Sequence, residues 1–232
     1  MLSVIIPTFN EESQIKVTIQ KLWEHDAHHL IKEIIVVDGG SDDKTLTIAK
    51  SEGVKAVVCP QKGRAAQMNY GASLAIGNIL YFLHADTIPP VDFTWEITKL
   101  VNHGFAAGCY RLAFDYPHWF LKANCWFTRF NVNAFRFGDQ SLFVTKENFL
   151  NVGGFCEKHL VLEDQHIIKK LRKVGSFKVL SKPVLTSARK YLENGIYRTQ
   201  GIFFLIYFMY YLGLTQQQLV STYRWLIKQD KL

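Results

Sequence analysis

The sequence predicts an α/β protein built on a mostly parallel sheet flanked by helices. Three observations predict it. Short apolar runs of strand length recur at Val4-Ile5-Ile6, Ile34-Ile35-Val36-Val37 and Ile79-Leu80-Tyr81-Phe82-Leu83. Segments with apolar residues at helical spacing separate them, and each run stops abruptly at polar or glycine-containing residues. Such alternation implies right-handed crossovers, with ligands gathered beyond the carboxyl ends of the strands.

In chain order, Ser3 to Phe9 reads as a buried strand, and Asn10 as the N-cap of a helix opening with Glu11 and Glu12 and carrying Ile15, Ile19, Leu22 and Trp23. Glu33 to Val37 is the second strand. It ends in Asp38-Gly39-Gly40-Ser41-Asp42-Asp43, and Leu46, Ile48 and Ala49 mark a short helix. Val54 to Cys59 is a strand, Pro60 to Gly63 a loop, Arg64 to Ile76 a helix, and Ile79 to Leu83 a strand ending in His84-Ala85-Asp86. Beyond Pro90, Val91 to His103 reads as helix, Phe105 to Asp115 as strand and Ser141 to Val144 as strand. Gly153-Gly154-Phe155 is a turn, Leu162-Glu163-Asp164 opens a helix carrying Ile167, Ile168 and Leu171, and Phe177 to Leu185 is a strand. Two helices, Leu192 to Leu212 and Gln216 to Lys228, end the chain.

The 232 residues carry a formal charge of +7, which favours anionic partners. No basic block or nucleic-acid motif is present, so nucleic acid is not an expected partner. Cys59, Cys109, Cys125 and Cys156 lack Cys-x-x-Cys or zinc-type His spacing, and read as reduced structural thiols in a cytoplasmic protein. Met1-Leu2-Ser3 runs straight into a strand pattern, so no leader is expected. The apolar stretch Ile202 to Leu212 is short of the roughly 20 residues of a spanning helix, and reads as buried or interfacial.

Candidate chemistry sits at the strand ends. Asp38, followed by two glycines, can reach outward to a ribose or base edge, whereas Asp42 and Asp43 suit the start of the following helix. No Gly-x-Gly-x-x-Gly follows the first strand, which argues against a dehydrogenase. Lys62-Gly63-Arg64 places two cations at a helix N-terminus, a setting for a phosphate or diphosphate; the alternative is a basic surface loop. Asp86 offers an oxygen ligand for Mg²⁺ or Mn²⁺, and His84 is either a second ligand or a core histidine. Glu163-Asp164 is either helix-capping charge or the source of a general base.

Val4-Ile5-Ile6-Pro7-Thr8-Phe9-Asn10-Glu11, Val36-Val37-Asp38-Gly39-Gly40-Ser41-Asp42-Asp43, His84-Ala85-Asp86 and Glu163-Asp164, in that order, resemble the signature of family 2 inverting glycosyltransferases of GT-A fold. Gly63-Arg64-Ala65-Ala66-Gln67-Met68-Asn69, Gly138-Asp139-Gln140 and Thr186-Ser187-Ala188-Arg189 resemble its small branch labelled "transferase 2, rSAM/selenodomain-associated". The resemblance implies one GT-A domain over 1–232: a nucleotide-sugar-binding half at 1–90, an acceptor half at 91–190 and a C-terminal helical extension at 191–232. It implies a nucleotide-diphosphate sugar donor near Pro7, Thr8, Glu11 and Asp38, with Lys62, Arg64 and Asp86 on the diphosphate side and Asp86 on a divalent cation. Asp164 would be the catalytic base, and Asp139, Gln140 and Arg189 would lie near the acceptor or diphosphate. His84 stands where the family's Asp-x-Asp has its first acid. Ser221-Thr222-Tyr223-Arg224-Trp225 lacks the Gln of the processive Gln-x-x-Arg-Trp motif, which implies non-processive transfer to a hydroxyl acceptor.

Trp119, Phe120, Trp126, Phe127, Phe130, Phe135 and Phe137, interleaved with basic residues, suit core packing, a homodimer interface or a membrane-facing patch for a lipid-linked acceptor at the inner membrane face. The rival functions are a nucleotidyltransferase, which would want a glycine-rich basic loop after the first strand, and a non-catalytic sugar-nucleotide or membrane-binding protein of the same fold.

Overall fold

The computed structural model describes residues 1–136 and 138–228; Phe137 of the aromatic run and the last four residues of the C-terminal extension lie outside the described residues. The strands and helices β1 (Leu2–Thr8), α1 (Ile15–Glu24), β2 (Ile31–Asp38), α2 (Thr45–Ser51), β3 (Lys55–Val58), α3 (Arg64–Leu74) and β4 (Ile79–Phe82) give the expected alternation. They are followed by β5 (Thr87–Ile88), α4 (Phe93–Asn102), β6 (Phe105–Phe114), α5 (Trp119–Phe127), β7 (Leu142–Thr145), α6 (Lys146–Asn151), α7 (Glu163–Val174) and β8 (Ser176–Thr186). Helices α8 (Arg189–Asn194), α9 (Ile196–Tyr211) and α10 (Gln216–Leu226) end the described chain.

Among the described residues the sheet has eight strands in the order β3-β2-β1-β4-β7-β6-β8-β5. Pairing is parallel through β3, β2, β1 and β4, then antiparallel where β7 joins β4 and β6. The long β6–β8 pair is parallel again and β5 joins β8 antiparallel, so parallel pairing predominates, as expected, with β7 as the antiparallel insertion. Every residue of β1 is buried, as its position between two parallel neighbours requires. Alternate side chains serve opposite faces: Val4 and Ile6 pack with Ile15, Ile19 and Leu22 of α1, while Ile5 packs with the α3 and α7 side. Fully burying each such aliphatic is worth about 1.5–3 kcal/mol. Helix α3 lies so close to β1 that a Cβ on Gly71 would come within 2.5 Å of the Ile5 side chain.

Two local expectations change. Asn10 is not a helix cap: it adopts φ 52°, its Oδ1 accepts from the Asp42 amide, and its own amide donates to Ser41 Oγ, so it ties the loops after β1 and β2 together. Helix α1 starts five residues later. The single helix expected over Leu192 to Leu212 is divided by Gly195, whose φ of 85° is open to glycine at little cost. Ile202 and Ile206 of α9 pack on Leu219 and Tyr223 of α10, while Phe204, Phe208 and Tyr211 are exposed. Among the described residues no helix is long and apolar enough to cross a membrane.

Candidate active site

The carboxyl ends of β1 and β4 open on a cleft of about 590 Å³, lined on one side by Pro7, Thr8 and Glu11 and on the other by His84, Asp86 and Asp139. The β1–β2 corner is braced from within. Gln67 of α3 donates from Nε2 to the Thr8 and Val37 carbonyls, both at 2.8 Å. Asp38 does not reach outward as expected. Its carboxylate accepts from the Gly40 amide (3.0 Å), the Ser41 amide (2.8 Å) and Ser41 Oγ (2.5 Å), and it does not line the cleft. Nearby amides are closer partners than a ligand, so Asp38 shapes the Gly39–Gly40 turn that does line it. Asp43 accepts from the Thr45 amide at the start of α2, the role the sequence suggests.

His84 lines the cleft rather than entering the core, and its Nδ1 lies 2.9 Å from Asp139 Oδ1. Burial opposes charge on both groups, but their pairing prevails: His84 is raised above the ordinary histidine value, and Asp139 is pulled down to about 2. Asp86 is raised, first by burial and then by the Asp139 charge. A divalent cation beside Asp86 would relieve that penalty, and carboxylate oxygens suit Mg²⁺ or Mn²⁺, so the donor set fits such an ion. His84, oriented through Nδ1 by Asp139, still offers Nε2, and His84 and Asp139 both line the cleft with Asp86.

Helix α7 enters behind this wall. Leu162 precedes it at φ 61°, a strained conformation for a branched side chain. Glu163 is buried and takes Arg64 Nη1 at 3.2 Å, so Arg64, which lines the cleft, is already paired across it. Asp164 is not on the cleft lining. A Cβ on Gly138 would lie 2.4 Å from Asp164 Oδ2 and 3.0 Å from His84 Nε2, so a side chain at this position would collide with both groups. Burial and the Glu163 charge push the Asp164 carboxyl up to about 7. Gln140 is also away from the cleft: it is buried and donates to the Tyr110 carbonyl at 3.3 Å.

The segment that delivers Gly138 and Asp139 is organised by Arg136, which is fully buried. It donates to the carbonyls of Thr128 (2.8 Å), Val132 (3.3 Å) and Phe130, and to Cys109 Sγ (3.2 Å). Gln165 of α7 in turn donates to the Arg136 carbonyl.

From the C-terminal side, Arg189 Nη2 reaches both Glu11 oxygens, at 3.1 and 3.0 Å. Burial disfavours its charge, but Glu11 and Asp86 outweigh that and raise its pKa. Lys62, Lys190, Arg224 and Lys228 also line the cleft. Lys190 and Lys228 were not singled out from sequence; the signal available was only the basic character of the chain end. Trp119, Trp126, Phe127 and Phe130 are exposed rather than core; Trp119 stands with Phe120 and Tyr197, while Trp126, Phe127 and Phe130 form a separate cluster with Arg129 4.5 Å over the Trp126 ring.

A family model described as "Glycosyl transferase family 2" matches residues 3–150. The chain is 31% identical over 99 residues to a dolichyl N-acetyl-alpha-D-glucosaminyl phosphate 3-beta-D-2,3-diacetamido-2,3-dideoxy-beta-D-glucuronosyltransferase of Methanococcus voltae, covering 40% of this chain and 31% of that protein. The chain spans a third or less of the length of such curated relatives. S. aureus TarS 1-349 in complex with UDP-GlcNAc superposes with a TM-score of 0.66 at 18% identity, over 80% of this chain and 58% of that one. Mannosyltransferase PcManGT from Pyrobaculum calidifontis, in complex with GDP-Man and Mn²⁺, gives 0.62 at 19%, over 80% and 56%. At these identities the likeness speaks for the fold, which is of GT-A type.

Proposed function

This chain belongs to glycosyl transferase family 2, and we propose that it moves one sugar from a nucleotide-diphosphate sugar to a hydroxyl acceptor, with inversion and without processive elongation. The observation that carries the reading is the meeting of Thr8, Glu11, Asp86, Asp139, Arg64 and Arg189 on one cleft at the carboxyl ends of β1 and β4. Pro7, Thr8, Glu11 and the turn built on Asp38 receive the nucleoside. Lys62 and Arg64 at the start of α3 face the diphosphate, as does Arg189. Asp86 would hold Mg²⁺ or Mn²⁺, with His84 or Asp139 as a further ligand, and the ion when bound would supply positive charge to the leaving diphosphate. His84 orients Asp139, and Gln140 fixes the strand that follows.

Asp164 takes the proton of the acceptor hydroxyl; it lies just behind the cleft wall, against Gly138 and close to the His84 ring. The acceptor oxygen forms its bond to the anomeric carbon as the bond to the diphosphate oxygen breaks, and that electron pair leaves with the nucleoside diphosphate. A base near pH 7 in its affinity for a proton suits this step. We place the enzyme in the branch labelled "transferase 2, rSAM/selenodomain-associated", on the motifs at Gly63–Asn69, Gly138–Gln140 and Thr186–Arg189. The exposed aromatic residues favour a cytoplasmic enzyme meeting a lipid-carried acceptor at the membrane face. Co-sedimentation with anionic vesicles tests this, and a homodimer through the same residues is the competing outcome.

The deciding experiment is a thermal-shift screen of nucleotides and nucleotide sugars with and without Mn²⁺ or Mg²⁺. One nucleotide diphosphate should raise the melting temperature only with metal, and Asp86→Ala should abolish that metal-dependent part. No stabilisation by any of them would overturn the donor reading.

A further inference from the structure

A second cluster of metal-binding side chains lies at the rim of the cleft, away from the carboxylates. Among the described residues, Cys156, His159 and His166 are the one group of three His, Cys or acidic side chains whose ligand atoms all lie within 4.8 Å of one another. Their spacing, two residues and then six, spans a loop and the first turn of α7, and the turn at Leu162 brings the three together. The two imidazoles stack with centroids 4.3 Å apart, and the Nδ1 atoms of both are buried with no hydrogen-bond partner. Two imidazoles held face to face with unsatisfied nitrogens beside a thiol are costly unless something accepts their lone pairs.

We propose that Cys156, His159 and His166 form a zinc site that latches the 156–162 loop to α7. One thiolate and two imidazoles are the donor set of a borderline-soft ion and not of Mg²⁺ or Mn²⁺. In a tetrahedral site with bonds of about 2.0–2.3 Å, ligand atoms lie about 3.3–3.8 Å apart, so the side-chain tips close on the ion by about an ångström and the stacked rings rotate to aim their in-plane lone pairs at it. Binding replaces the Cys156 S–H proton, which is released to solvent, with a sulfur–zinc bond. Three protein ligands leave a fourth position for water. The surroundings are ready for a latch. The Cys156 carbonyl accepts from the His159 amide, Gln216 of α10 accepts from the Leu160 and Val161 amides, and Asn69 holds the Phe155 backbone. Because His159 lines the cleft, the ion would set the position of one cleft wall. The site stands independently of the sugar-transfer reading.

The test uses the whole chain, stripped with chelator and titrated first with Co²⁺ and then with Zn²⁺. We expect a near-ultraviolet thiolate-to-cobalt band saturating at one ion per chain and displaced by Zn²⁺, and a zinc-dependent rise in melting temperature. Cys156→Ser should remove the band, and His166→Ala should weaken zinc binding at least tenfold. Absence of the band in the unmodified protein overturns the proposal, with no variant needed. So does a thiolate-to-cobalt band that survives Cys156→Ser.

Discussion

The two walls of the cleft are built on opposite principles. On the β1–β2 side the polar side chains serve the backbone: Asp38 closes its own turn, Gln67 bridges two carbonyls, and Asn10 links two loops. On the β4–α7 side charged groups face one another, as His84 does Asp139 and Arg64 does Glu163, while Asp164 is left in surroundings that lift it to about 7. Edge-on strand termini expose amides and carbonyls that must be satisfied, so side chains there become braces. A helix start that sets Asp164 beside the buried Glu163 raises its affinity for a proton, the property a reacting site needs. The first wall gives the cleft its shape and the second gives it chemistry.

Substitutions can break this contrast. The largest effect belongs to Asp164→Asn, which should lower turnover about 10²–10⁴-fold while leaving the nucleotide-dependent melting shift intact. Full activity in that variant would remove Asp164 from the reaction and erase the distinction between the walls. Next, Ile5→Ala, beneath both walls, should cost about 2–5 kcal/mol in urea unfolding, since its cavity opens between β1 and α3. Gln67→Ala should cost less, about 1–2 kcal/mol, by removing two buried hydrogen bonds from carbonyls that keep one other donor each, the Gly39 amide on Thr8 and Thr8 Oγ1 on Val37. Its turnover per folded molecule should fall less than that of Asp164→Asn; an equal fall would make the bracing wall part of the chemistry.

The smallest effect is read against pH. Transfer should rise as pH climbs through about 7, where Asp164 loses its proton, and level off above. Because the folded carboxyl binds its proton more tightly than the unfolded one, the stability it contributes is present below the ordinary carboxylate range. That stability is lost as pH rises towards about 7. The melting-temperature gain of Asp164→Asn over the unmodified chain should therefore be greater at pH 8 than at pH 4. An equal difference at both would show that Asp164 is not shifted.

Much of this was legible in the residues. Uninterrupted apolar runs bounded by turn residues located β1, β2 and β4, and the abrupt stop at His84-Ala85-Asp86 located one end of the cleft. Period and polarity carry no information about which neighbour a carboxylate selects, so Asp38 and Gln140 were expected in the cleft and turned elsewhere. Nor do they report on tertiary meeting points. Cys156, His159 and His166 have no zinc-type spacing, and come together only because Leu162 turns the chain into α7. The exposed aromatic residues were ambiguous for the same reason: composition gives the rings and not the side of the sheet they face.

The burial of Arg136 has a consequence for how the reacting wall opens. A guanidinium stripped of water needs its carbonyl acceptors together, and a partly lifted loop would strand a charge at low dielectric with some of them gone. Intermediate degrees of detachment are therefore steep uphill states. The segment from Thr128 to Arg136 is expected to hold or to release as one unit, a cooperative element in a wall whose neighbour across the cleft is braced bond by bond.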